Sequence, residues 1–134
     1  MATKILYDGA SSEVYIDENY TDGAVFELKR AINNGVINPD QIHQADIVYD
    51  CLKGIDFDTK SPSHYPLKFT GPGLTVYVTA VTAGYGGKGP LGTLKCLELM
   101  GFSLTEDEKN SILSKPRLEN GDEDPFIVLN FKKQ

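Results

Sequence analysis

The chain has 134 residues, 40% hydrophobic and 24% charged, which is typical of a globular protein and predicts a single domain over residues 1–134. Its net charge of −6 argues against duplex nucleic acid as a partner, because duplexes normally meet a basic surface. It has no run approaching roughly 18 apolar residues and no apolar leader, so we expect a cytoplasmic protein without a membrane partner.

The amino-terminal part predicts a β-hairpin followed by a helix. Residues 3–8 and 13–17 are β-prone and flank a turn-forming segment, which is typical of two antiparallel strands. Thr21 or Asp22 can cap a helix that runs to about Asn34, where a glycine follows as a natural stop.

A second helix is expected immediately afterwards. Asn38 is a good N-cap, Pro39 suits the first helical position, and Asp40 interacts favourably with the helix dipole. Gly54 would end this helix. Its expected buried stripe consists of Ile42, Ala45, Val48 or Tyr49, and Leu52.

The middle of the chain contains the clearest strand. Residues 55–73 are rich in proline and predict an irregular connection with a short strand at 67–69. Residues 74–82 alternate between apolar and semi-polar side chains, which indicates a strand with one face in the core.

The carboxyl-terminal part predicts two more helices and a last strand. Pro90 starts a largely buried helix that runs to Met100, and the capping box that begins at Thr105 starts a short helix to about Ser114. Residues 126–131 are almost continuously apolar, which favours a central strand. We therefore predict an α+β fold, one compact domain whose mixed or mostly antiparallel sheet packs with about four helices.

The most informative motif is the glycine-rich turn between the strand at 74–82 and the helix at Pro90. Glycines let the backbone approach a ligand, successive amides form an anion nest, and the first helical amides have no internal acceptor. Residues 59–97 also contain no Asp or Glu but hold four lysines, so the rest of the chain carries −10. The predicted ligand-binding residues are Gly84, Tyr85, Gly86, Gly87, Lys88, Gly89, Gly92 and Thr93.

This turn does not match the known phosphate loops. It lacks the GxxxxGK[ST] pattern, and its GxGxxG-like span is not followed by the regular βαβ unit of a dinucleotide-binding domain. An alternative interpretation is a tight strand-to-helix connection in which the glycines only allow close packing. Four further residues are secondary ligand-binding candidates: His64, Lys68, Lys95 and Arg117.

Catalytic and metal-binding signatures are missing from the sequence. No GxSxG, HExxH or CxxC motif occurs. His43 and Asp46 could bind a metal together, but two ligands do not make a site, so we predict no metal and no cofactor. Cys51 and Cys96 are expected to be free thiols.

Three functions remain open. The first is a non-catalytic binder of a small phosphorylated ligand, most naturally a nucleotide, such as a sensor or a phage-type protein that sequesters nucleotide immune signals. The second is an acidic inhibitor or toxin-immunity protein that binds a basic protein surface. The third is a small enzyme acting on a phosphorylated substrate. A homo-oligomer that builds its ligand site across subunits is compatible with the first two.

Overall fold

The computed structural model describes residues 3–8, 11–18, 20–48, 66–81, 88–113 and 128–133. They form six strands, three α-helices and one 3-10 helix in a single α+β domain. The strands are β1 (Thr3–Asp8), β2 (Ser11–Ile16), β3 (Gln44–Val48), β4 (Leu67–Gly71), β5 (Leu74–Val78) and β6 (Val128–Lys132). The helices are α1 (Thr21–Asn33), α2 (Lys88–Leu99) and α3 (Glu106–Leu113), and the 3-10 helix is Pro39–Gln41. None of these helices is long and apolar enough to cross a membrane.

The six strands form one mixed sheet in the order β1-β2-β5-β4-β3-β6. Every neighbouring pair is antiparallel except β2 and β5, which run parallel with Val14 opposite Val76. Parallel neighbours cannot be joined by a hairpin, so the chain leaves β2 through α1 and returns to the sheet at β3. The predicted α+β class with a mixed, mostly antiparallel sheet is confirmed.

The core lies between one face of this sheet and the helices. Alternate residues of the strands are fully buried, as in Val14 and Ile16 of β2 and Val76 and Val78 of β5. They pack with apolar residues of the helices, which are Ala24, Leu28, Ala31, Cys96, Leu97 and Ile112. The helical layer therefore covers one face of the sheet.

The predicted second helix is wrong, and three α-helices are found in the described residues instead of about four. Asn38 does cap a helix, since its side chain accepts a hydrogen bond from the Asp40 amide, but only the 3-10 turn follows. The next residues form β3, in which Ala45 and Ile47 are buried and alternate with polar residues. Hydrogen bonds to the two neighbouring strands, β4 and β6, pair the backbone N–H and C=O groups of β3. This tertiary pairing outweighs the local helix signals.

The last strand is also placed differently from the prediction. Its described part, β6, pairs only with β3 and lies at the edge of the sheet, so the predicted central position is wrong. Among the side chains of β6 that the structure describes, Phe131 is buried and Asn130 is exposed. The central positions of the sheet are taken by β5 and β4.

The signals at the end of α2 and at the start of α3 are satisfied as predicted. Gly101 adopts a φ of 87° after α2, and the Phe102 amide donates to the carbonyl of Leu97, which closes the helix. At α3, the Thr105 hydroxyl accepts from the Glu108 amide while the Glu108 carboxylate accepts from the Thr105 amide. This reciprocal pair is the capping box that the sequence predicts.

Candidate functional site

The glycine-rich turn connects the carboxyl end of β5 to the amino end of α2. Lys88, Gly89, Gly92 and Thr93 are described, and they form the first turns of α2, which begins at Lys88 rather than at Pro90. The remaining candidates of the motif, together with two of the secondary candidates, lie outside the described residues: Gly84, Tyr85, Gly86, Gly87, His64 and Arg117.

The turn starts where two parallel strands end side by side. The buried Thr79, directly after β5, donates its backbone N–H to the carbonyl of Ile16 over 3.0 Å. Its hydroxyl oxygen accepts a hydrogen bond from the Glu18 amide over 2.7 Å, which ties the ends of β5 and β2 together. Because α1 follows β2 and α2 follows β5, both helices begin at this edge of the sheet.

An ion pair joins the amino ends of the two helices. The Nζ of Lys88 lies 2.7 Å from a carboxylate oxygen of Asp22, which is in the first turn of α1. Both side chains are 72% exposed, so ligand and solvent can reach this pair. The sequence predicts Thr21 or Asp22 as the cap of this helix, but the N-cap is Tyr20 and no side chain caps the helix. The contact between Asp22 and Lys88 could not be predicted, because nothing in the sequence shows that β2 and β5 are neighbours.

Gly92 lies at the contact between α1 and α2. A Cβ at this position would overlap the Cγ2 of Thr21 and would lie 3.3 Å from the Cγ1 of Val81. The neighbouring Thr93 is fully buried, and its hydroxyl donates to the carbonyl of Gly89 over 3.3 Å. Gly92 therefore allows the close helix packing that the alternative interpretation of the motif describes.

Ala80, just before the turn, has an unusual backbone conformation. Its φ is 61°, the left-handed region that a side chain disfavours by roughly 1–2 kcal/mol. Its carbonyl accepts a hydrogen bond from the Thr21 hydroxyl over 2.6 Å, and this bond links the end of β5 to the start of α1. Strained residues of this kind concentrate at functional sites, where surrounding contacts hold them in place.

The strain at Ala80 predicts opposite effects for two substitutions. Ala80→Gly should raise the free energy of unfolding by up to about 1 kcal/mol, because relief of the strain exceeds the entropy that glycine adds to the unfolded chain. Ala80→Val should lower it by at least about 1 kcal/mol, because a β-branched residue resists positive φ more strongly. Urea unfolding measures both, and equal destabilisation by the two variants would contradict a left-handed Ala80.

Two of the secondary ligand-binding candidates, Lys68 and Lys95, are among the described residues, and neither lies at the glycine-rich turn beside Lys88. Lys68 is on β4 and places its Nζ 5.7 Å from the centroid of the Tyr77 ring. Lys95 is two helical turns further along α2 on the exposed side of the helix. Residues 59–97 contain no Asp or Glu, and of their lysines that the structure describes, Lys88 alone lies at the glycine-rich turn.

The sheet face opposite the helices has its own cross-strand row of side chains. The rings of Tyr15 and Tyr77 are stacked, with centroids 4.8 Å apart and planes within 9°. Beyond Lys68, the carboxylate of Asp46 accepts hydrogen bonds from the side-chain amides of Gln44 and Asn130. The sequence could not reveal this row, because it depends on the register of five strands.

The described cysteine has no chemical role at this site. Cys96 is a free, fully buried thiol in α2, and burial raises its pKa to about 12. It is therefore protonated at neutral pH and is not a nucleophile. The predicted free state is confirmed for Cys96, while Cys51 lies outside the described residues.

The fold and this site define an α+β protein in which two helices begin at the carboxyl ends of a parallel strand pair inside a mostly antiparallel sheet. In comparisons with models of known protein families, with curated proteins and with solved structures, nothing matches the chain.

Proposed function

We propose that the protein binds a small anionic ligand, a phosphorylated compound and most naturally a nucleotide, where α1 and α2 begin. The proposal is carried by one observation. The amino ends of α1 and α2, with Lys88, lie together beside the carboxyl ends of the parallel strands β2 and β5. Helix amino ends present unpaired amides and positive dipole charge to an anion. The carboxyl ends of parallel strands are also where open α/β sheets bind their ligands.

A non-catalytic role suits this site. The chain has no nucleophile–base signature, and its one described cysteine is buried and protonated. Binding alone is sufficient for a sensor or for a protein that sequesters a nucleotide signal. We therefore favour binding over turnover.

Asp22 is a competitor for the same lysine. A phosphate that binds Lys88 must displace the Asp22 carboxylate or share the ammonium group with it. An exposed ion pair contributes only about 0–1 kcal/mol, whereas each hydrogen bond to a charged group contributes about 1.5–3 kcal/mol. A phosphate that also accepts bonds from helix amides therefore displaces the carboxylate at little cost.

This competition predicts opposite changes in affinity for two variants. Lys88→Ala should weaken binding of the anion at least tenfold, about 1.4 kcal/mol, because the direct cation is lost. Asp22→Asn should strengthen binding severalfold, because it removes both the competitor and a like charge. Isothermal titration calorimetry with inorganic phosphate and with mono-, di- and cyclic nucleotides measures both changes.

Lys109→Ala is the matched control for loss of one positive charge. Lys109 is half exposed on α3 and pairs with Glu106 within its own helix, so its replacement should leave the affinity unchanged. The proposal is wrong if no ligand of the set binds, or if Lys88→Ala and Lys109→Ala weaken binding equally. Hydrolysis of a bound nucleotide during the titration would favour the enzyme alternative.

A further inference from the structure

The outer surface of the α1–α2 pair exposes large apolar side chains. Phe26 of α1 is 63% exposed and Leu91 of α2 is 52% exposed. Of the four large apolar side chains exposed in the described residues, these two and Tyr20, the N-cap of α1, lie on this pair of helices. Single exposed apolar residues need no explanation, so their relative position decides whether they matter.

Helical spacing places Phe26 and Leu91 on the same outer side of the α1–α2 pair. Asp22 and Lys88 are in contact, and both helices run away from the same sheet edge. Phe26 lies four residues after Asp22, and Leu91 lies three residues after Lys88, so each is about one helical turn beyond the ion pair on the same side of its helix. Gly92 keeps the two helices close at this level. We call this surface the Phe26–Leu91 face.

The next helical turn of this face is basic. Lys29 follows Phe26 by three residues and Lys95 follows Leu91 by four, and both side chains are exposed. Neither makes an ion pair in the part of the chain that the structure describes, whereas Asp22 and Lys88 offset each other. The face therefore combines two apolar side chains with two exposed lysines, and the exposed Glu98 follows Lys95 by three residues, in a protein whose net charge is −6.

We propose that the Phe26–Leu91 face binds an acidic amphipathic helix of a partner protein. Such a helix would place apolar residues over Phe26 and Leu91 and carboxylates about one turn away, near Lys29 and Lys95. Buried aromatic and aliphatic anchors supply most of the binding energy at such contacts, and complementary charge selects the partner. The charge of this partner is opposite to that of the basic partner predicted from composition.

A second copy of the chain fits this face less well. A two-fold interface uses the same surface from both subunits, so it would bring the lysines of this face towards those of the other copy. Each copy also carries a net charge of −6, which adds long-range repulsion. An acidic helix on a different protein avoids the first obstacle, because its carboxylates would meet the lysines of the face.

The test uses a pair of synthetic helical peptides as probes. Both are about 18 residues long with leucines at i, i+3, i+4 and i+7, and their flanking positions are glutamate in one peptide and lysine in the other. We expect the glutamate peptide alone to shift amide resonances of the ¹⁵N-labelled full chain, centred on α1 and α2. Its binding should weaken as salt is added, because the lysines of the face contribute.

Two double variants separate the apolar from the electrostatic contribution. Phe26→Ser with Leu91→Ser, and Lys29→Glu with Lys95→Glu, should each weaken binding of the glutamate peptide at least tenfold. All four positions are exposed, so thermal midpoints close to that of the unsubstituted chain should show that both variants are folded. Phe26→Ser with Leu91→Ser retains Lys88 and changes no charge, so phosphate binding by this variant reports separately on the proposed function.

Four results would overturn the proposal. Binding of the lysine peptide with equal affinity would show that charge does not select the partner. Absence of binding by the glutamate peptide, or resonance shifts centred on other elements, would show that the face is not a docking surface for an acidic helix. Self-association in sedimentation that Phe26→Ser with Leu91→Ser abolishes would assign the face to a second copy of the chain.

Discussion

Replacement of Gly71 by alanine is expected to lower the free energy of unfolding by about 3 kcal/mol or more. Gly71 ends β4, and a Cβ there would overlap the backbone carbonyl oxygen of Gln41 at the end of the 3-10 helix. Backbone atoms cannot rotate away as a flexible side chain can. The Gln41 segment would have to move, and that movement would disturb the adjoining bond from the His43 amide to the carbonyl of Thr70.

The matched control for Gly71 is alanine at Gly23. Gly23 lies in the first turn of α1, and a Cβ there would be 3.4 Å from the Cδ of Glu18, an ordinary contact. Gly23→Ala should therefore raise the free energy of unfolding by about 0.5–1 kcal/mol through helix propensity. Urea unfolding measures both variants. Equal stability of Gly71→Ala and the unsubstituted chain would refute the close approach of Gln41.

Replacement of Gly92 by alanine should cost about 2 kcal/mol of stability, the second largest effect we expect. Alanine stabilises a helix by about 1 kcal/mol relative to glycine, so the free-energy cost of the overlap with Thr21 must exceed this gain for the prediction to hold. The Thr21 side chain cannot turn away freely, because its hydroxyl donates to the carbonyl of Ala80 over 2.6 Å. We therefore expect the packing penalty to dominate.

A double-mutant cycle isolates the contact between Gly92 and Thr21. Thr21→Ser removes the Cγ2 that a new Cβ would overlap and retains the hydroxyl bond to Ala80. Alanine at position 92 should thus cost at least about 1 kcal/mol less in the Thr21→Ser background than in the unsubstituted chain. No coupling between the two positions, together with a loss of anion binding in Gly92→Ala, would show that this glycine serves the ligand rather than helix packing.

The cycle also bears on the interpretation of the glycine-rich turn. Glycines at a strand-to-helix turn admit a ligand, a neighbouring helix or both, and the sequence signal is the same in each case. At Gly92 the neighbour is α1, and the same close approach places Lys88 against Asp22. Helix packing and the candidate anion site are therefore consequences of one contact between α1 and α2.

Local signals predicted those elements whose stability is largely local. Contacts between residues close in sequence stabilise three of them, which are the hairpin β1–β2, the capping box at Thr105 and the end of α2 at Gly101. The strand at residues 67–69 and the alternation in β5 were predicted for the same reason, since side-chain period and turn residues are visible in the sequence.

The segment at residues 39–48 shows where local signals fail. Asn38 and Pro39 favour a helix start, and the spacing of Ile42 and Ala45 fits a helical stripe. The sheet nevertheless takes residues 44–48 as β3, because β4 on one side and β6 on the other supply hydrogen bonds that an isolated helix would have to make internally. The helix-start signals at Asn38 and Pro39 produce only a single 3-10 turn.

The sequence by itself determined the α+β class, the capping box at Thr105, the glycine end of α2, and Lys88 as a cation beside a glycine-rich turn. Only the tertiary structure decided that β2 and β5 are parallel neighbours, that Asp22 contacts Lys88, and that Phe26 and Leu91 are exposed. Side-chain periods and capping residues act over a few positions and can be read along the chain. Strand order and helix contacts depend on interactions between residues that are far apart in sequence, so they form only when the whole core packs.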